Sequence, residues 1–340
     1  MARQPHAGLP RSSKAEIAMA DSSAPLSSTL ARPAYSVPKR RSRVLTSDRI
    51  IAFALLAPSI IAIAVFVYGF IGFTGFASFT KWNSLTPDFT LVGFSNFQKL
   101  FDTTRFQIDL RNTVTFTTLF LVLCLSLGFI LAVLLDQRIR GEAIFRNIFL
   151  FPLAVSYIVT GVVWRWLLNP GSAQLGATGM NLLFDKIGLG FLKNGWYTDP
   201  EIGIKAVVLA ATWQMSGYVM AMYLAGLRGI PEDLREAARV DGANEFQVYR
   251  HIVLPMLQPI TLGAVIILGH ISLKIFDLVV SMTGPGPGFS SDVPAFYMFD
   301  TTFRGNNFAQ GAGIAVILLV MVAALIVPYL IFSTRTEAEA

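Results

Sequence analysis

Charged residues, cysteine and histidine are all scarce in this sequence. Only 14% of its 340 residues are charged and 54% are hydrophobic, whereas a soluble domain has about a quarter charged residues. This composition excludes an ordinary soluble protein, because a surface so poor in charge is stable in lipid rather than in water. The single cysteine, Cys124, cannot form an intramolecular disulfide or a cysteine-based zinc cluster.

Motifs of nucleotide binding, metal binding and catalysis are missing too. The chain has no G-x-x-x-x-G-K-[ST] P-loop, no H-E-x-x-H pair and no G-x-S-x-G elbow. Its three histidines, His6, His251 and His270, have no metal-ligand spacing. Asp277 is expected to be the only acid within or beside an apolar run. The sequence therefore predicts no catalytic residue, no metal site and no cofactor bound by this chain, and it favours transport or a structural membrane role over catalysis.

Six long apolar runs stand out in the rest of the sequence. A helix rises about 1.5 Å per residue, so roughly 20 uncharged residues are needed to cross a hydrocarbon core about 30 Å thick. The runs that reach or approach this length are 50–80, 112–135, 147–164, 206–227, 252–273 and 305–334. We therefore expect an all-α polytopic membrane protein with six transmembrane helices.

The positive charge of the chain is concentrated at its N-terminus. Residues 1–49 contain nine Lys or Arg and three Asp or Glu, while the other 291 residues contain 18 of each sign. Lys and Arg are enriched in cytoplasmic loops, and the predicted inner segments contain 17 of them against seven in the predicted outer loops. This distribution predicts that both termini are cytoplasmic (N-in/C-in), and it explains the net charge of +6 without a nucleic-acid partner.

These features divide the chain into three parts. Residues 1–49 are rich in Ser, Ala, Pro and basic residues and have no hydrophobic period, so we expect a disordered basic cytoplasmic tail. Residues 50–334 form the predicted six-helix transmembrane domain, and 335–340 form a short cytoplasmic C-terminal tail. The apolar run after Arg49 is too long for the hydrophobic core of a signal peptide, which predicts a retained first helix. Met19 allows a shorter translation product.

The predicted inner loop at 228–255 carries the most specific local signals. Pro231 fits a first helical position, and Glu232 and Asp233 follow in the first turn, where the helix dipole favours acids. Gly242 then offers a break. The mildly apolar helical stripes before and after the glycine consist of Leu234, Ala237, Ala238 and Asp241, and of Phe246, Tyr249 and Ile252. The loop is thus predicted to be a helix, a glycine turn and a second helix, with a solvated amphipathic connection as the plainer alternative.

A fixed pattern of residues runs through this loop. It consists of Glu236-Ala237-Ala238, three further residues, Gly242, nine further residues and Ile252-x-Leu254-Pro255. The pattern and both gaps resemble the EAA loop of binding-protein-dependent ABC importer permeases. The resemblance extends over about residues 50–334.

Further segments resemble the carbohydrate subfamily of these permeases. Residues 213–231 are similar to the exit of the fourth span in that subfamily. Residues 276–288 look like the Gly/Pro-rich outer segment of the maltose and glycerol-phosphate first-permease type, although Pro285 interrupts the usual paired glycines. With Ser-Asp-Val-Pro at 291–294, these features look closest to importers of the glucose/mannose kind. A permease for glycerol phosphate or another small solute is the alternative.

The resemblance implies a type I ABC importer permease fold and a set of partners. The partners are a second permease subunit, a cytoplasmic ATPase dimer, an extracytoplasmic solute-binding protein and a sugar, at a bacterial or archaeal cytoplasmic membrane. ATP would be used by the ATPase subunits, and this chain would not be an enzyme. The loop would be the coupling helix that enters a cleft of the ATPase, with roles implied for Glu236, Ala237, Ala238, Asp241, Gly242, Ile252, Leu254 and Pro255. Glu236 is expected to meet a basic group there, while the alanines allow close approach.

Two groups of residues are candidates for the substrate path. The first group, with stacking and hydroxyl-binding chemistry suited to a sugar or else a packing role, consists of Trp213, Gln214, Ser216 and Tyr218. The second is Lys274 and Asp277, because ionisable residues in or beside a span are functional candidates. Their spacing of three also predicts a shared helical face and a structural ion pair. A different class, an ion-coupled secondary transporter, would need paired or midplane carboxylates, which this sequence is not expected to contain.

Overall fold

The protein is described here by a computed structural model of residues 47–339 apart from 138, 173 and 175. This part of the chain is helical and contains no β-strand; its extended pairings are two isolated bridges. The chain divides into two compact units, Met1–Pro58 and Ser59–Ala340. Nearly all of the predicted disordered tail lies outside the described residues, so that expectation stays a prediction.

Fifteen α-helices are present in the described residues, joined by short 3-10 and π-helical segments. In chain order they are α1 (Ser47–Ile63), α2 (Phe70–Ser78), α3 (Ser95–Asp102), α4 (Thr104–Asp136), α5 (Glu142–Leu150), α6 (Tyr157–Leu167), α7 (Gly179–Lys186), α8 (Gly203–Gly229), α9 (Glu232–Val240), α10 (Glu245–Val248), α11 (Leu254–Met256), α12 (Gln258–Leu273), α13 (Asp277–Met282), α14 (Pro294–Phe299) and α15 (Phe308–Glu339). A π-helical segment, Ala64–Gly69, joins α1 to α2, and another, Tyr249–Val253, joins α10 to α11.

Four helical stretches in the described residues are long and apolar enough to cross a membrane. They are Ala52–Ser78, Thr104–Asp136, Gly203–Gly229 and Phe308–Ile331. Two bent pairs, Glu142–Ala154 with Tyr157–Leu167 and Glu245–Met256 with Gln258–Leu273, raise the number to six if each pair is one span. The all-α membrane class is therefore confirmed, while the third and fifth predicted spans are broken helices.

The two breaks have local causes. The helix pair at the third predicted span bends by 100° because the backbone of Val155 is extended and Ser156 starts a new helix, its Oγ accepting a hydrogen bond from the Val159 N–H. The helix pair at the fifth predicted span bends by 63° next to Leu257. Pro259 lies in the first turn of the following helix, where its missing N–H is tolerated.

The core of the larger unit is built on α8 and α4, which pack against each other along much of their length. In α8, 72% of the most apolar 18-residue stretch is buried. Gly128 of α4 allows the close approach, because a Cβ atom there would lie 2.6 Å from Cγ1 of Val219. By contrast, none of the corresponding stretch of Ala52–Ser78 is buried within the chain.

Candidate coupling site

The loop after α8 has the predicted helix, turn and helix. Pro231 immediately precedes α9, and Glu232 and Asp233 occupy its first turn. Gly242 has a φ of +87°, a left-handed conformation that favours glycine. The second helix, α10, starts with a capping box in which Asn244 and Gln247 each accept a hydrogen bond from the other's backbone N–H, at 2.9 and 2.8 Å.

The residues of the EAA-like pattern lie mostly on the surface. Glu236, Ala237, Asp241, Gly242, Leu254 and Pro255 are exposed, and Ala238 and Ile252 are half-buried. A side chain built on Gly242 would meet no atom within 4 Å. Two large apolar side chains, Val240 and Phe246, are 87% and 71% exposed beside the turn. The loop thus presents a mixed small and apolar surface that another protein can approach.

Arg235, on the opposite side of α9, is buried. Its Nη1 donates to Oδ2 of Asp136 at 3.0 Å, and its Nη2 donates to the backbone oxygen of Leu227 at 2.9 Å. Asp136 is the last residue of α4, and Leu227 lies in the last turn of α8. One guanidinium therefore ties α9 to the ends of two spans. This role was not predicted, because Arg235 and Asp136 are 99 positions apart and no sequence pattern indicates that they are in contact.

A second arginine joins the parts of the loop that lie before and after Gly242. Nε of Arg239 lies 2.8 Å from Oε1 of Glu245, and Nη1 lies 3.8 Å from Oε1 of Glu232. The hydrogen bond with Glu245 is the main reason that the pKa of Arg239 is raised above its ordinary value. All three side chains are well exposed, so this network contributes little to the stability of the fold. It orients α9 relative to α10.

A charged cleft of about 1090 Å³ opens between the loop and the adjoining ends of α4 and α8. Its lining includes Asp136, Arg235, Glu236, Arg239 and Glu245. Among the described residues, no three His, Cys, Asp or Glu side chains come together as a metal-binding group. The cleft and its rim suit contact with a protein surface of mixed charge.

The four candidates on α8 face different surroundings. Trp213 is 38% exposed and its ring packs edge-on against Trp164, with centroids 6.0 Å apart. Gln214 is buried and its Nε2 donates to the backbone oxygen of Val155 at 2.6 Å, at the bend of the third span. Ser216 is buried and Tyr218 is half-buried. The structure does not gather them in one open site, and a substrate role for them stays a prediction.

The expectation of a shared helical face for Lys274 and Asp277 is wrong. Helix α12 ends at Leu273, Phe276 has a non-helical backbone, and Asp277 starts α13. Both side chains are exposed, and no ion pair joins them among the described contacts. The break in the backbone removes the spacing argument, since that argument holds only within one helix.

A buried polar cluster at the Thr104 end of α4 was missed entirely. Nε of Arg105 donates to Asp292 at 2.6 Å, and its Nη1 donates to Asp300 at 2.8 Å. Asn112 donates from Nδ2 to the backbone oxygens of Phe289 and Asp292, at 2.8 and 2.9 Å. Burial raises the pKa of Asp292 above its ordinary value, although the hydrogen bond from Arg105 opposes this.

The same cluster corrects the expectation that Asp277 is the only acid in or beside a span. Asp109 is fully buried in α4, which begins at Thr104 rather than near 112. The sequence did contain an indication of this cluster. Positions 105, 109 and 112 are four and three residues apart, a spacing that places Arg105, Asp109 and Asn112 on one face of a helix. The sequence predicts an outer loop at 81–111 because the uncharged run starts only at 112, and this boundary hides the helical spacing.

The chain is similar to known membrane transport components in sequence and in fold. Residues 125–338 match the family described as "Binding-protein-dependent transport system inner membrane component". The chain is 43% identical to a "probable ABC transporter permease protein" of Pyrococcus horikoshii, over 83% of this chain and 95% of that relative. It is 35% identical to the "xylose/arabinose import permease protein XacH" of Haloferax volcanii, over 81% of this chain and 85% of that relative.

The fold is also similar to that of a solved transporter structure. It is the crystal structure of "a bacterial ABC transporter involved in the import of the acidic polysaccharide alginate". The TM-score is 0.67 and the sequence identity 25%, over 82% of this chain and 94% of the chain compared.

Proposed function

Because the chain belongs to the family of binding-protein-dependent transport system inner membrane components, we propose that it is the subunit of an ATP-driven importer through which a sugar crosses the cytoplasmic membrane. As an ABC transporter permease it is a transport component and not an enzyme. In this proposal, an extracytoplasmic binding protein delivers the sugar, a second permease completes the path, and separate ATPase subunits hydrolyse ATP.

The sugar class is supported by the relatives. One is named for xylose and arabinose, and the transporter of similar fold is named for alginate. These names cover monosaccharides and a polysaccharide, and neither concerns glucose or mannose. The proposal is therefore a saccharide, with no support from these relatives for the glucose/mannose kind expected from the sequence.

The observation that carries the proposal is the surface of the loop at 228–255. It combines a short exposed helix, a glycine turn with free space around it, and the EAA-like pattern. We assign this loop to the ATPase side of the membrane, with both termini cytoplasmic. Small side chains at Ala237 and Ala238 allow a close fit, and Glu236 is free to meet a basic group of the ATPase.

Transport then follows from rigid-body motion. Closure of two ATPase subunits around ATP would move α9, and the attached spans would turn between inward-facing and outward-facing states. Trp213 and Tyr218 offer aromatic faces for a sugar ring along such a path. Gln214, Ser216, Lys274 and Asp277 supply the polar candidates.

A matched pair of glycine variants tests the proposal. Gly242→Asp and Gly188→Asp place the same side chain at positions with φ of +87° and +78°, both with no atom within 4 Å. Uptake of radiolabelled xylose, arabinose, glucose and maltose is measured in vesicles that contain the whole transporter. We expect Gly242→Asp to abolish uptake while the subunit still inserts, and Gly188→Asp to retain uptake.

Two results would contradict this function. Normal uptake by the Gly242→Asp transporter would show that the loop does not drive transport. Uptake that survives loss of the ATPase but stops with a protonophore would indicate an ion-coupled secondary transporter instead.

A further inference from the structure

Arg235 connects the loop to a span that the loop does not adjoin in sequence. The chain leads from α8 directly into α9, but Asp136 of α4 lies 99 positions before Arg235. The side chains of Arg235 and Asp136 are only 10% and 11% exposed. A buried, hydrogen-bonded ion pair is rigid in a way that an exposed one is not, since breaking it leaves a charge without water or partner.

The part of the loop after Gly242 also contacts α4. The ring of Tyr249 packs edge-on against Phe129, with centroids 6.3 Å apart, and Phe129 packs in the same way against Tyr223 of α8 at 5.6 Å. The contact between α4 and the loop therefore has a polar part at Asp136 and an aromatic part at Phe129. The parts of the loop before and after Gly242 therefore both contact the Asp136 end of α4.

Helix α4 is long enough to carry a displacement across the membrane. Arg105 and Asp136 are 31 residues apart in one continuous helix, which corresponds to about 45 Å. At its far end, Arg105 binds Asp292 and Asp300 in the segment that follows the Gly/Pro-rich residues. A movement of α9 that is passed to Asp136 therefore reaches the opposite end of α4 without passing through the loops that connect the helices.

We propose that Arg235 is a positioning residue that transmits the movement of α9 to α4 through Asp136, so that α4 and α8 move together when ATP is used. This inference rests on the proposed function, because it needs a partner that moves α9. It differs from that function in assigning a route within this chain. Without the ion pair, α4 follows α9 only through its packing on α8 and the contact of Phe129 with Tyr249, and part of the ATP is hydrolysed without a matching import step.

The test measures coupling rather than activity alone. The complete transporter, with this chain, the second permease, the ATPase and the binding protein, is reconstituted, and ATP hydrolysed is divided by radiolabelled xylose, arabinose, glucose or maltose imported. Arg235→Ala and Asp136→Asn are each expected to raise this ratio about tenfold, with insertion and ATPase association unchanged. The double variant Arg235→Asp with Asp136→Arg is expected to return the ratio to within about threefold of the wild type.

Lys193→Ala is the matched control. It removes an ion pair of similar length, 2.7 Å between Nζ of Lys193 and Oδ1 of Asp185. Both side chains are 40% exposed, and both residues are far in sequence from the loop. Its ratio is expected to equal that of the wild type. This variant separates loss of the particular contact from loss of any ion pair.

The outcomes distinguish this inference from the proposed function. If the single variants insert and keep the wild-type ratio, or if the reversed pair recovers no more coupling than the single variants, the role of Arg235 is wrong. If a single variant fails to insert, the reversed pair decides, because a reversed pair that inserts but hydrolyses ATP without import overturns the inference. Loss of uptake in Gly242→Asp alongside unchanged coupling in Arg235→Ala overturns this inference alone.

Discussion

Arg105 and Asp292, 187 positions apart in the sequence, are joined by a hydrogen bond of 2.6 Å between Nε and Oδ2. Asp292 is completely buried, and the Arg105 guanidinium lies 4.4 Å from the centroid of the Tyr297 ring. Because Arg105 also binds Asp300, one side chain fixes the segment between α13 and α15 to the start of α4. The two contacts of Arg105 join positions 187 and 195 residues apart in the sequence.

Replacement of Arg105 by alanine is expected to destabilise the subunit strongly. It leaves the buried Asp292 carboxylate without its cationic partner, and removal of one member of a buried pair costs about 3–5 kcal/mol. Thermal or denaturant unfolding of the purified subunit in detergent measures the loss. Arg304→Ala is the control, because Arg304 pairs with the same Asp300 at 3.3 Å but is 66% exposed. Equal stability of the two variants would contradict the importance of the buried contact.

Gly128→Ala is expected to loosen the packing of α4 on α8. The added Cβ would lie 2.6 Å from Cγ1 of Val219 and 3.0 Å from the backbone nitrogen of Met220, so the helices must separate. Overpacking of this kind costs about 1–3 kcal/mol, which a lower unfolding midpoint in detergent would reveal. Gly72→Ala, where no atom lies within 4 Å, should leave stability unchanged or raise it by up to about 1 kcal/mol.

Gln214→Leu is expected to destabilise the bend at the third predicted span, and the same variant tests whether Gln214 also contacts the sugar. Its Nε2 satisfies the backbone oxygen of Val155, and a buried acceptor left without a donor costs about 1–3 kcal/mol. The unfolding midpoint and the KM for sugar uptake are measured together. A changed KM with an unchanged midpoint would instead support direct contact between Gln214 and the substrate.

Phe246→Ser is expected to weaken association with the ATPase about tenfold, because an exposed aromatic side chain at an interface commonly contributes more than 1 kcal/mol to binding. The folded subunit should keep its stability, since Phe246 is 71% exposed. Phe191→Ser provides the comparison: Phe191 is 80% exposed and lies in the segment between α7 and α8. Equal affinity of both variants for the ATPase would exclude Phe246 from the interface.

The sequence was sufficient wherever the structural signal is local. Apolar runs predicted the four long membrane-crossing stretches, because a lipid-facing helix needs only length and hydrophobicity, but they did not show that the third and fifth runs are bent. The turn at Gly242 was predictable for a similar reason: acids after Pro231 start a helix, and a glycine after it permits a positive φ. The resemblance of this loop to the EAA pattern then led to the family, which the comparisons confirm.

The sequence was insufficient wherever a contact joins distant positions. In the sequence, Arg235 is one of several charged residues on an amphipathic helix. Only the structure shows that it binds Asp136. The hydrogen bond that the Val155 backbone oxygen accepts at this bend likewise comes from Gln214, 59 positions later in the sequence. Charge alone was also misleading, because Asp109 is polar and yet lies fully buried in α4.

The first span and α8 differ in how much of their surface is buried in the chain, and this difference should affect how fast their sequences change in evolution. The core stretch of Ala52–Ser78 has no buried residue, whereas most of that of α8 is surrounded by protein. A side chain that faces lipid must only be apolar, but an enclosed one must also have the right shape. Among relatives, substitutions should therefore accumulate fastest in the first span and slowest in α8. A comparison of substitution rates span by span would therefore show which helices are enclosed by protein and which face lipid.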